Sequence, residues 1–319
     1  MKTYNSAPSN IALIKYMGKI EGLGNRPTNP SISYSLEHLR TFVEIEEHPG
    51  SGDVWEPLSL KGSAVLKLSE GGREKFLKHF RFLKQKWEIE GAFKIRSANN
   101  FPSDCGLASS ASSFAALTKA AAEHFQRLRA QGWGAEALEL SKLSRQGSGS
   151  SCRSFFSPWA LWRSEGAEPV DLPAGLHHAV IVLESGIKQV SSSEAHRRVI
   201  TSPRFQGRVP RAEQKLEDLI SVIRQEKWKW AYEIIWDEFW DMHELFHTSQ
   251  PGFQYMTPEC REILQFMERQ WKKKGHGLWI TLDAGPNIHL LFHREDRDLA
   301  ETYLEDFKKY SVLTSWGRA

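Results

Sequence analysis

The run from residue 99 to residue 113, NNFPSDCGLASSASS, has the residue types of a loop that binds phosphate. A predicted strand ends where this run begins, and a predicted helix starts inside it with Ser109 and Ser110 in its first turn. The free amides at a helix start carry partial positive charge, and Gly106 lets a phosphate approach the backbone closely. The serine hydroxyls add hydrogen-bond donors and a possible magnesium ligand. A serine-capped helix after an ordinary turn has the same pattern, and composition alone does not separate the two.

A second run, residues 146–153 (QGSGSSCR), combines a glycine–serine backbone with an arginine. A guanidinium group holds a carboxylate or a phosphate through two parallel hydrogen bonds, so Arg153 with the neighbouring hydroxyls suits such an oxyanion. The more common alternative for any one loop of this kind is a solvated loop with a surface arginine.

A lysine and an aspartate lie at the ends of predicted strands. Lys15 follows an apolar run, where a lysine costs free energy unless it has an anionic partner. Asp283, in the run TLDAGPN, ends another strand and opens a tight turn, a position that suits a catalytic carboxylate or plain turn chemistry. Together with Lys19, these runs supply a phosphate loop, an arginine, two lysines and one carboxylate.

The run from His243 to His247, HELFH, matches the HExxH pattern of zinc proteases on a predicted helix. Glu262 or Glu268 would have to serve as the third ligand, since no HxxGxxH extension follows. Chance matches to so short a pattern are frequent, so a partly buried helix histidine is the favoured interpretation.

Hydrophobic periodicity predicts the elements that position these residues. Alternation predicts strands at 10–16, 31–36, 41–47 and 91–97, near 162, and at 178–183, 277–282 and 288–292, with 64–68 as a further candidate. A period of 3.6 residues predicts helices at 73–87, 107–125, 135–143, 211–224, 228–247, 257–273 and 296–309. A glycine–serine loop covers 146–151, and a proline-containing connection covers 165–175. Interleaved helices and antiparallel strands predict an α+β fold.

The composition is that of an ordinary globular protein. The chain has 319 residues, a net charge of +3, 40% hydrophobic and 25% charged residues. Three separated cysteines argue against a disulfide framework and against a cysteine zinc site. No stretch of 18 apolar residues and no signal-peptide pattern occurs, so a cytoplasmic protein without a membrane segment is expected. The lysines of residues 75–86 alternate with core phenylalanines as on a solvated helix face, so no nucleic-acid partner is predicted.

Five blocks of the sequence resemble, in order, those of mevalonate diphosphate decarboxylases: APSNIALIKYMGK, RPTNPSIS, NNFPSDCGLASSASSFAAL, GSGSSCRSFF and LDAGPN. That family belongs to the larger group of galactokinase-, homoserine kinase- and mevalonate kinase-like (GHMP) enzymes. The resemblance runs from residue 7 to about residue 292. It implies an α+β fold with an S5-like N-terminal domain at 1–175, which carries the ATP-phosphate loop, and a ferredoxin-like C-terminal domain at 176–319. The active site would lie in the cleft between them.

The resemblance implies ATP-dependent decarboxylation of mevalonate 5-diphosphate to isopentenyl diphosphate through 3-phosphorylation, with ATP as co-substrate and Mg²⁺ as cofactor. The partners would be the phosphorylated substrate and ATP, and a homodimer is expected. A mevalonate 5-phosphate decarboxylase and a mevalonate 3-kinase of the same superfamily are the alternatives, with an HExxH zinc hydrolase as a remote one.

The resemblance also implies roles for individual residues. Asp283 would act near the 3-hydroxyl as a base or an orienting charge, Lys15 would neutralise charge around it, and Arg153 would hold the C1 carboxylate. Further substrate contacts are expected from Tyr16, Lys19, Ser148, Gly149, Ser150, Ser191 and Ser192. Contacts to ATP are expected from Ser97, Asn99, Gly106, Leu107, Ala108, Ser109 and Ser110, with Ser109 also as a magnesium ligand.

The sequence departs from the family pattern near the expected 5-phosphate end. Met17 stands where the family usually has tryptophan, and Ile20 where a basic residue is common. In the run VSSSEAH, which resembles VSSxxGM, Ser193 stands where some relatives have arginine, and His196 replaces the methionine. These departures leave open whether the preferred substrate is the 5-diphosphate or the 5-monophosphate.

Overall fold

The computed structural model describes residues 1–61, 63–102, 107–129, 136–173, 175–183, 189–275 and 277–317. The first half contains a six-stranded sheet, in which the order is β3-β4-β2-β5-β6 and β1 also pairs with β2. Its strands are β1 (Lys2–Ile14), β2 (Ser31–His48), β3 (Val54–Pro57), β4 (Ala92–Asn99), β5 (Trp159–Trp162) and β6 (Ala167–Pro169). Its helices are α1 (Glu70–Lys86), α2 (Ser109–Arg129) and α3 (Ala137–Gly147), followed by a 3₁₀ helix at Gly149–Phe155.

The second half contains a four-stranded antiparallel sheet in the order β10-β7-β9-β8. Its strands are β7 (Leu176–Val182), β8 (Trp279–Thr281), β9 (Ile288–His293) and β10 (Ser311–Thr314). Its helices are α4 (Ser192–Arg198), α5 (Arg208–Arg224), α6 (Trp228–Thr248), α7 (Pro258–Lys274) and α8 (Arg297–Leu304). The α+β class is therefore confirmed, while a domain boundary between residues 175 and 176 stays a prediction.

The two strands predicted at 31–36 and 41–47 are one continuous strand, β2. The register against β1 shifts between Pro8 and Ser9, which face Arg40 and Leu36 respectively. A bulge bends a strand without ending it, so the interrupted alternation in the sequence marks an irregularity and not a turn. The strand predicted at 64–68 is wrong, because those residues form no regular element.

A hydrophobic core shared by both halves fixes their relative position. Ile32 and Trp159 of the first sheet belong to the same cluster of buried side chains as Ile235 of α6 and Leu290 of β9. The Tyr34 hydroxyl, which is also buried there, donates to the carbonyl of Leu176 at 3.1 Å and accepts its amide at 3.0 Å. The cleft between the halves consequently has walls that cannot slide freely. Among the described residues, no helix is long and apolar enough to cross a membrane.

Candidate active site between the two halves

A pocket of about 120 Å³ lies where the end of β1, the start of α2 and the 3₁₀ helix at Gly149–Phe155 meet α4 and the turn after β8. The structure brings together in its lining many of the side chains predicted from sequence. These are Lys15, Tyr16, Lys19, Ala108, Ser110, Ser148, Gly149, Ser150, Arg153, Ser192 and Asp283. Residues distant in the chain thus converge on one cavity.

Lys15 and Asp283 form an ion pair at the base of the pocket. The Lys15 ammonium donates to Asp283 Oδ1 at 2.8 Å, and the lysine side chain is 1% exposed against 23% for the aspartate. Burial acts to raise the pKa of Asp283, but the Lys15 ammonium, together with His289 and Arg153, more than offsets it, so the pKa of Asp283 is lowered. Burial also lowers the pKa of Lys15, against the opposing effect of Asp283. Between these two pKa values both groups are charged, so Asp283 offers the pocket an ionised carboxylate.

Arg153 is buried in the wall of the pocket with its guanidinium fixed in orientation. Its Nε donates to Asn10 Oδ1 at 3.2 Å and its Nη1 to Ser31 Oγ at 2.7 Å. The guanidinium also lies over the Trp162 ring, 5.8 Å from its centroid. Its Nη2 has no hydrogen-bond partner among the described residues, and Arg153 lines the cavity. A guanidinium group held in one orientation in this way can bind a carboxylate through two parallel hydrogen bonds.

Gly149 is required by the close approach of the Tyr16 ring. A Cβ atom at this position would lie 2.6 Å from the Tyr16 hydroxyl. Tyr16 itself donates to the carbonyl of Asn25 at 3.0 Å and packs against His196, with 4.3 Å between ring centroids. The glycine therefore lets the 3₁₀ helix bring its serines beside the tyrosine in a single pocket.

The start of α2 faces the pocket, as expected for a phosphate-binding helix. Ala108 and Ser110 line the cavity, and Ala108 has a positive φ of 51°. The Ser110 hydroxyl lies 3.4 Å from that of Ser148, which joins the helix start to the 3₁₀ segment. The amides of Ala111 and Ser112 donate to the Ala108 carbonyl at 2.8 and 3.4 Å, so the amides of Ser109 and Ser110 are the ones that suit phosphate oxygens. Gly106, predicted as part of this loop, lies outside the described residues.

Lys19 lies at the far end of the pocket without a carboxylate partner among the described residues. Its ammonium donates to Asn25 Oδ1 at 2.8 Å. Burial, together with the nearby cations Lys75 and Arg197, lowers the pKa of Lys19 to about 8. A cation in such surroundings is poised to bind an anionic ligand.

His196, one of the departures from the family pattern, also lines this end of the pocket. Its Nδ1 accepts the backbone amide of Gly18 at 3.0 Å, so the neutral ring carries its proton on Nε2. Burial lowers the pKa of His196 well below its ordinary value, and the Lys19 cation is the next largest cause. The ring is therefore a neutral donor where relatives have a methionine.

Several predicted residues lie outside the pocket lining, and their roles stay predictions. The Ser97 hydroxyl accepts from Trp55 Nε1 at 2.8 Å, and the Thr41 hydroxyl donates to Asn99 Oδ1 at 2.7 Å. The Leu107 carbonyl accepts from Ser9, the Ser109 carbonyl accepts from Ser112, and the Ser191 hydroxyl caps α4 by accepting from Glu194.

Sequence reasoning missed some residues that line the pocket, above all Lys75 and Asn25. Lys75 lies on α1, 5.3 Å from the centroid of the Phe114 ring of α2, and reaches the cavity only because the two helices pack together. On a helical wheel it looks like any solvated lysine. Asn25 has a positive φ of 63°, which a turn asparagine tolerates, but nothing in the sequence ties it to Lys19.

The HExxH pattern does not form a metal site. His243 is fully buried, and burial lowers its pKa to about 3, whereas His247 is partly exposed beside Arg261. Among the described residues, no group of three or more His, Cys, Asp or Glu side chains is arranged to hold a metal ion. The Ser110 hydroxyl in the pocket does fit Mg²⁺ bound mainly by phosphates and water, which is its usual mode beside nucleotides.

Comparison with known proteins agrees with this geometry. The model of the diphosphomevalonate decarboxylase-like N-terminal domain matches residues 7–171, and that of the mevalonate 5-diphosphate decarboxylase C-terminal domain matches residues 178–315. A diphosphomevalonate decarboxylase of Schizosaccharomyces pombe is 30% identical over 324 residues, which cover 92% of this chain and 79% of the relative.

Solved structures are similar over nearly the whole chain. A mevalonate diphosphate decarboxylase from Legionella pneumophila is 44% identical, with a TM-score of 0.92 over 98% of this chain and 100% of that one. The mevalonate diphosphate decarboxylase from Enterococcus faecalis, in a structure concerning mevalonate diphosphate mediated ATP binding, is 28% identical with a TM-score of 0.86, covering 98% and 96%. Another structure, of MDDEF with MVAPP, AMPPCP and magnesium, is 29% identical with a TM-score of 0.87, covering 98% and 96%.

The fold, shared with these solved structures, defines a protein of the GHMP small-molecule-kinase class. Within that class, the chain belongs to the mevalonate diphosphate decarboxylase family.

Proposed function

We propose that the protein catalyses the ATP-dependent decarboxylation of mevalonate 5-diphosphate to isopentenyl diphosphate, ADP, phosphate and CO₂. The observation that carries this proposal is the Lys15–Asp283 ion pair, 2.8 Å long, in one pocket with the Arg153 guanidinium and the start of α2. One cavity thereby contains the ionised carboxylate of Asp283, the guanidinium of Arg153 for a carboxylate, and the start of α2 for phosphate. Family membership supplies the substrate.

Asp283 orients the tertiary 3-hydroxyl toward the γ-phosphate of ATP and takes its proton as the new O–P bond forms and the bond from the γ-phosphorus to the β–γ bridging oxygen breaks, so that ADP leaves. Lys15 keeps Asp283 ionised and holds its orientation through Oδ1. Positioning and charge supply most of the catalysis in phosphoryl transfer, so an orienting carboxylate suffices. The 3-hydroxyl, a poor leaving group, becomes a phosphate that can leave.

Arg153 holds the C1 carboxylate during the second step. As the C3–O bond breaks, phosphate leaves with the bonding electrons and positive character develops at C3. The electrons of the C1–C2 bond then form the C2–C3 double bond, and the carboxylate leaves as CO₂. Because Asn10 and Ser31 fix the guanidinium, the carboxylate is held in one orientation relative to C3.

ATP binds with its phosphates at the start of α2, where Ala108 and Ser110 line the pocket. A serine hydroxyl of the first turn of α2 would hold Mg²⁺ together with the nucleotide, and the ion would supply positive charge to offset that of the phosphates. Ser110 lines the cavity and is better placed for this than Ser109. Lys19, with Tyr16 and His196, binds the 5-diphosphate at the other end.

Product analysis tests the proposal and its alternatives. The purified protein is incubated with ATP, Mg²⁺ and, separately, mevalonate, its 5-phosphate and its 5-diphosphate. We expect CO₂ and isopentenyl diphosphate from the 5-diphosphate at the highest rate. A clear preference for the 5-phosphate would assign the monophosphate decarboxylase, for which Ser193 in the pocket in place of arginine is the favouring observation. ADP without CO₂ would assign a 3-kinase.

A homodimer and a cytoplasmic location complete the proposal, and both rest on the family resemblance and the sequence. Sedimentation velocity of the purified protein tests the first, since a single species of about twice the chain mass is expected.

A further inference from the structure

A buried group of charged side chains lies behind Lys15, on the side away from the pocket. Arg208 of α5 and Glu238 of α6 are both 0% exposed, and Asp241 is 5% exposed. The Arg208 Nη1 group donates to Glu238 Oε2 at 2.9 Å and to Asp241 Oδ2 at 2.9 Å, while Nη2 bonds Glu238 Oε1. Lys215 reaches the same Glu238 carboxylate, with Nζ 3.3 Å from Oε2.

This group binds the backbone of Lys15 on both sides. The amide of Lys15 donates to Glu238 Oε1 at 2.9 Å, and its carbonyl accepts from Arg208 Nη2 at 3.1 Å. Lys15 directly follows β1 in the first half of the molecule, whereas Arg208 and Glu238 belong to the second half. Because its ammonium also bonds Asp283, the lysine is held by the second half at three points.

Stability alone gives little reason for such a group. Removing charged side chains from water costs free energy, and apolar residues of similar volume often stabilise a core as well or better. A fixed ion pair does, however, hold a backbone segment to a narrow range of positions, because both of its polar groups must be satisfied. The segment held in this case carries the lysine that contacts Asp283.

We propose that Glu238 and Arg208 are positioning residues that hold the Lys15 backbone so that its ammonium stays in contact with the Asp283 carboxylate during the reaction. The inference rests on the proposed function, because it assigns these residues to the same transfer step. Glu238 and Arg208 touch neither substrate nor ATP; they act through Lys15.

Glu238 has a second effect on Lys15, through its charge. Burial lowers the pKa of Lys15, while Asp283 and then Glu238 raise it and Arg153 lowers it. His243, also packed near Lys15, is neutral because burial lowers its pKa to about 3. Removing the Glu238 charge therefore lowers the pH at which Lys15 loses its proton.

The test is the pH profile of kcat at saturating substrate for Glu238→Gln, with Asp241→Asn as the matched control. Asp241 bonds the same Arg208 but not Lys15. In Glu238→Gln we expect kcat to fall about ten- to hundredfold, the scale of one charge-assisted hydrogen bond, and the alkaline limb to move to lower pH. KM should change less than about twofold. Asp241→Asn should keep the wild-type limb, with kcat within about threefold.

Lys19 also titrates on the alkaline side, since its pKa is about 8, but it does so equally in both variants. Their difference therefore reports Lys15. Equal profiles and equal kcat values in two folded variants would overturn the proposal.

A second variant tests the positioning role if Glu238→Gln does not fold. Lys215 is 16% exposed at the edge of the group, and Lys215→Met removes a cation that neutralises Glu238. We expect its alkaline limb to move to higher pH, and an unchanged or lowered limb would overturn the proposal. CO₂ release by the wild-type protein distinguishes a failure of the proposed function from a failure of the positioning role. Absence of CO₂ release by wild type refutes the proposed function, whereas CO₂ release with unaltered variant profiles refutes only the positioning role.

Discussion

Two groups of charged side chains lie on either side of Lys15, and they differ in how their charges are balanced. On the pocket side, Lys19 bonds only the neutral Asn25 among the described residues, and its pKa falls to about 8 because of burial and neighbouring cations. On the far side, burial acts against Arg208, but Glu238 and Asp241 outweigh it and raise its pKa.

The difference distinguishes a cation without a carboxylate partner, which is available to a ligand, from a cation that is already paired within the protein. A buried cation paired with carboxylates has its counterion within the protein, so a further anion gains little there. A cation beside other cations has no counterion within the protein, so we expect it to attract an anionic ligand such as the phosphates of the proposed substrate. Two buried cations on either side of Lys15 thus differ in whether the protein itself supplies their counterion.

The largest effect on this comparison is expected when the Asp283 carboxylate, which pairs with Lys15, loses its charge. Asp283→Asn should lower turnover by at least about a hundredfold while leaving the affinity for ATP and substrate nearly intact, since an amide neither orients nor deprotonates the hydroxyl as a carboxylate does. Single-turnover kinetics with separate binding titrations would measure both quantities. Near-normal turnover would remove Asp283 from the chemistry.

A second test concerns the fixed guanidinium. Arg153→Ala should lower kcat/KM for the substrate roughly ten- to hundredfold, because a charge-assisted contact to the carboxylate is lost. Arg153→Lys keeps the charge and is the matched control. It should restore only part of the activity, because an ammonium cannot make the two-bond fork. Full restoration by lysine would show that charge alone matters at this position.

The next test sharpens the comparison at the 5-end. Lys19→Ala removes a contact worth roughly 1.5–3 kcal/mol, so kcat/KM for the 5-diphosphate should fall about tenfold or more, and its advantage over the 5-phosphate should narrow. In the wild type, kcat/KM should decline as the pH rises through about 8, because the Lys19 cation that binds phosphate is lost above its pKa. That decline should be absent from Lys19→Ala. A decline of equal size in both proteins would assign the titration to another group.

The smallest effect is expected for Arg197→Ala. Arg197 and Arg198 follow the altered segment and could have replaced the missing arginine, but both pair with Glu194, and Arg197 is 77% exposed. Neither lines the pocket. Steady-state kinetics should show a change in KM for the 5-diphosphate of less than about twofold, beside the much larger change in Lys19→Ala. A change as large as that of Lys19→Ala would extend the ligand-binding group to α4.

The sequence was most informative where one local pattern carried the signal. The period of apolar residues located the long helices, and the runs around Lys15, Arg153 and Asp283 supplied residues that the structure brings to one pocket. The short strands β3 and β10 were not predicted, because four residues, three of them half-buried and one exposed, give little alternation. The start of β1 was not predicted either, since its polar residues show no apolar alternation and form a strand because they pair with β2.

Residues whose environment depends on distant contacts could not be predicted. Glu238 lies in the run WDEFWDMHE, where it looks like one acid among several on a helix surface, yet it is fully buried against Arg208. Lys75 likewise reaches the pocket only because α1 packs on α2. In both cases the decisive partner comes from another element, and no local periodicity encodes it.

The attachment of Lys15 to the second half also sets a time order during synthesis of the chain. Glu238 and Asp283, the carboxylates that bond Lys15, follow it by 223 and 268 residues. At the usual rate of translation, about 5–20 residues per second, Asp283 is added roughly 13 to 54 s after Lys15. A nascent chain that stops before α6 contains Lys15 and the start of α2 but lacks both carboxylates. If Asp283 has the role proposed above, such a truncated product cannot transfer phosphate to the 3-hydroxyl.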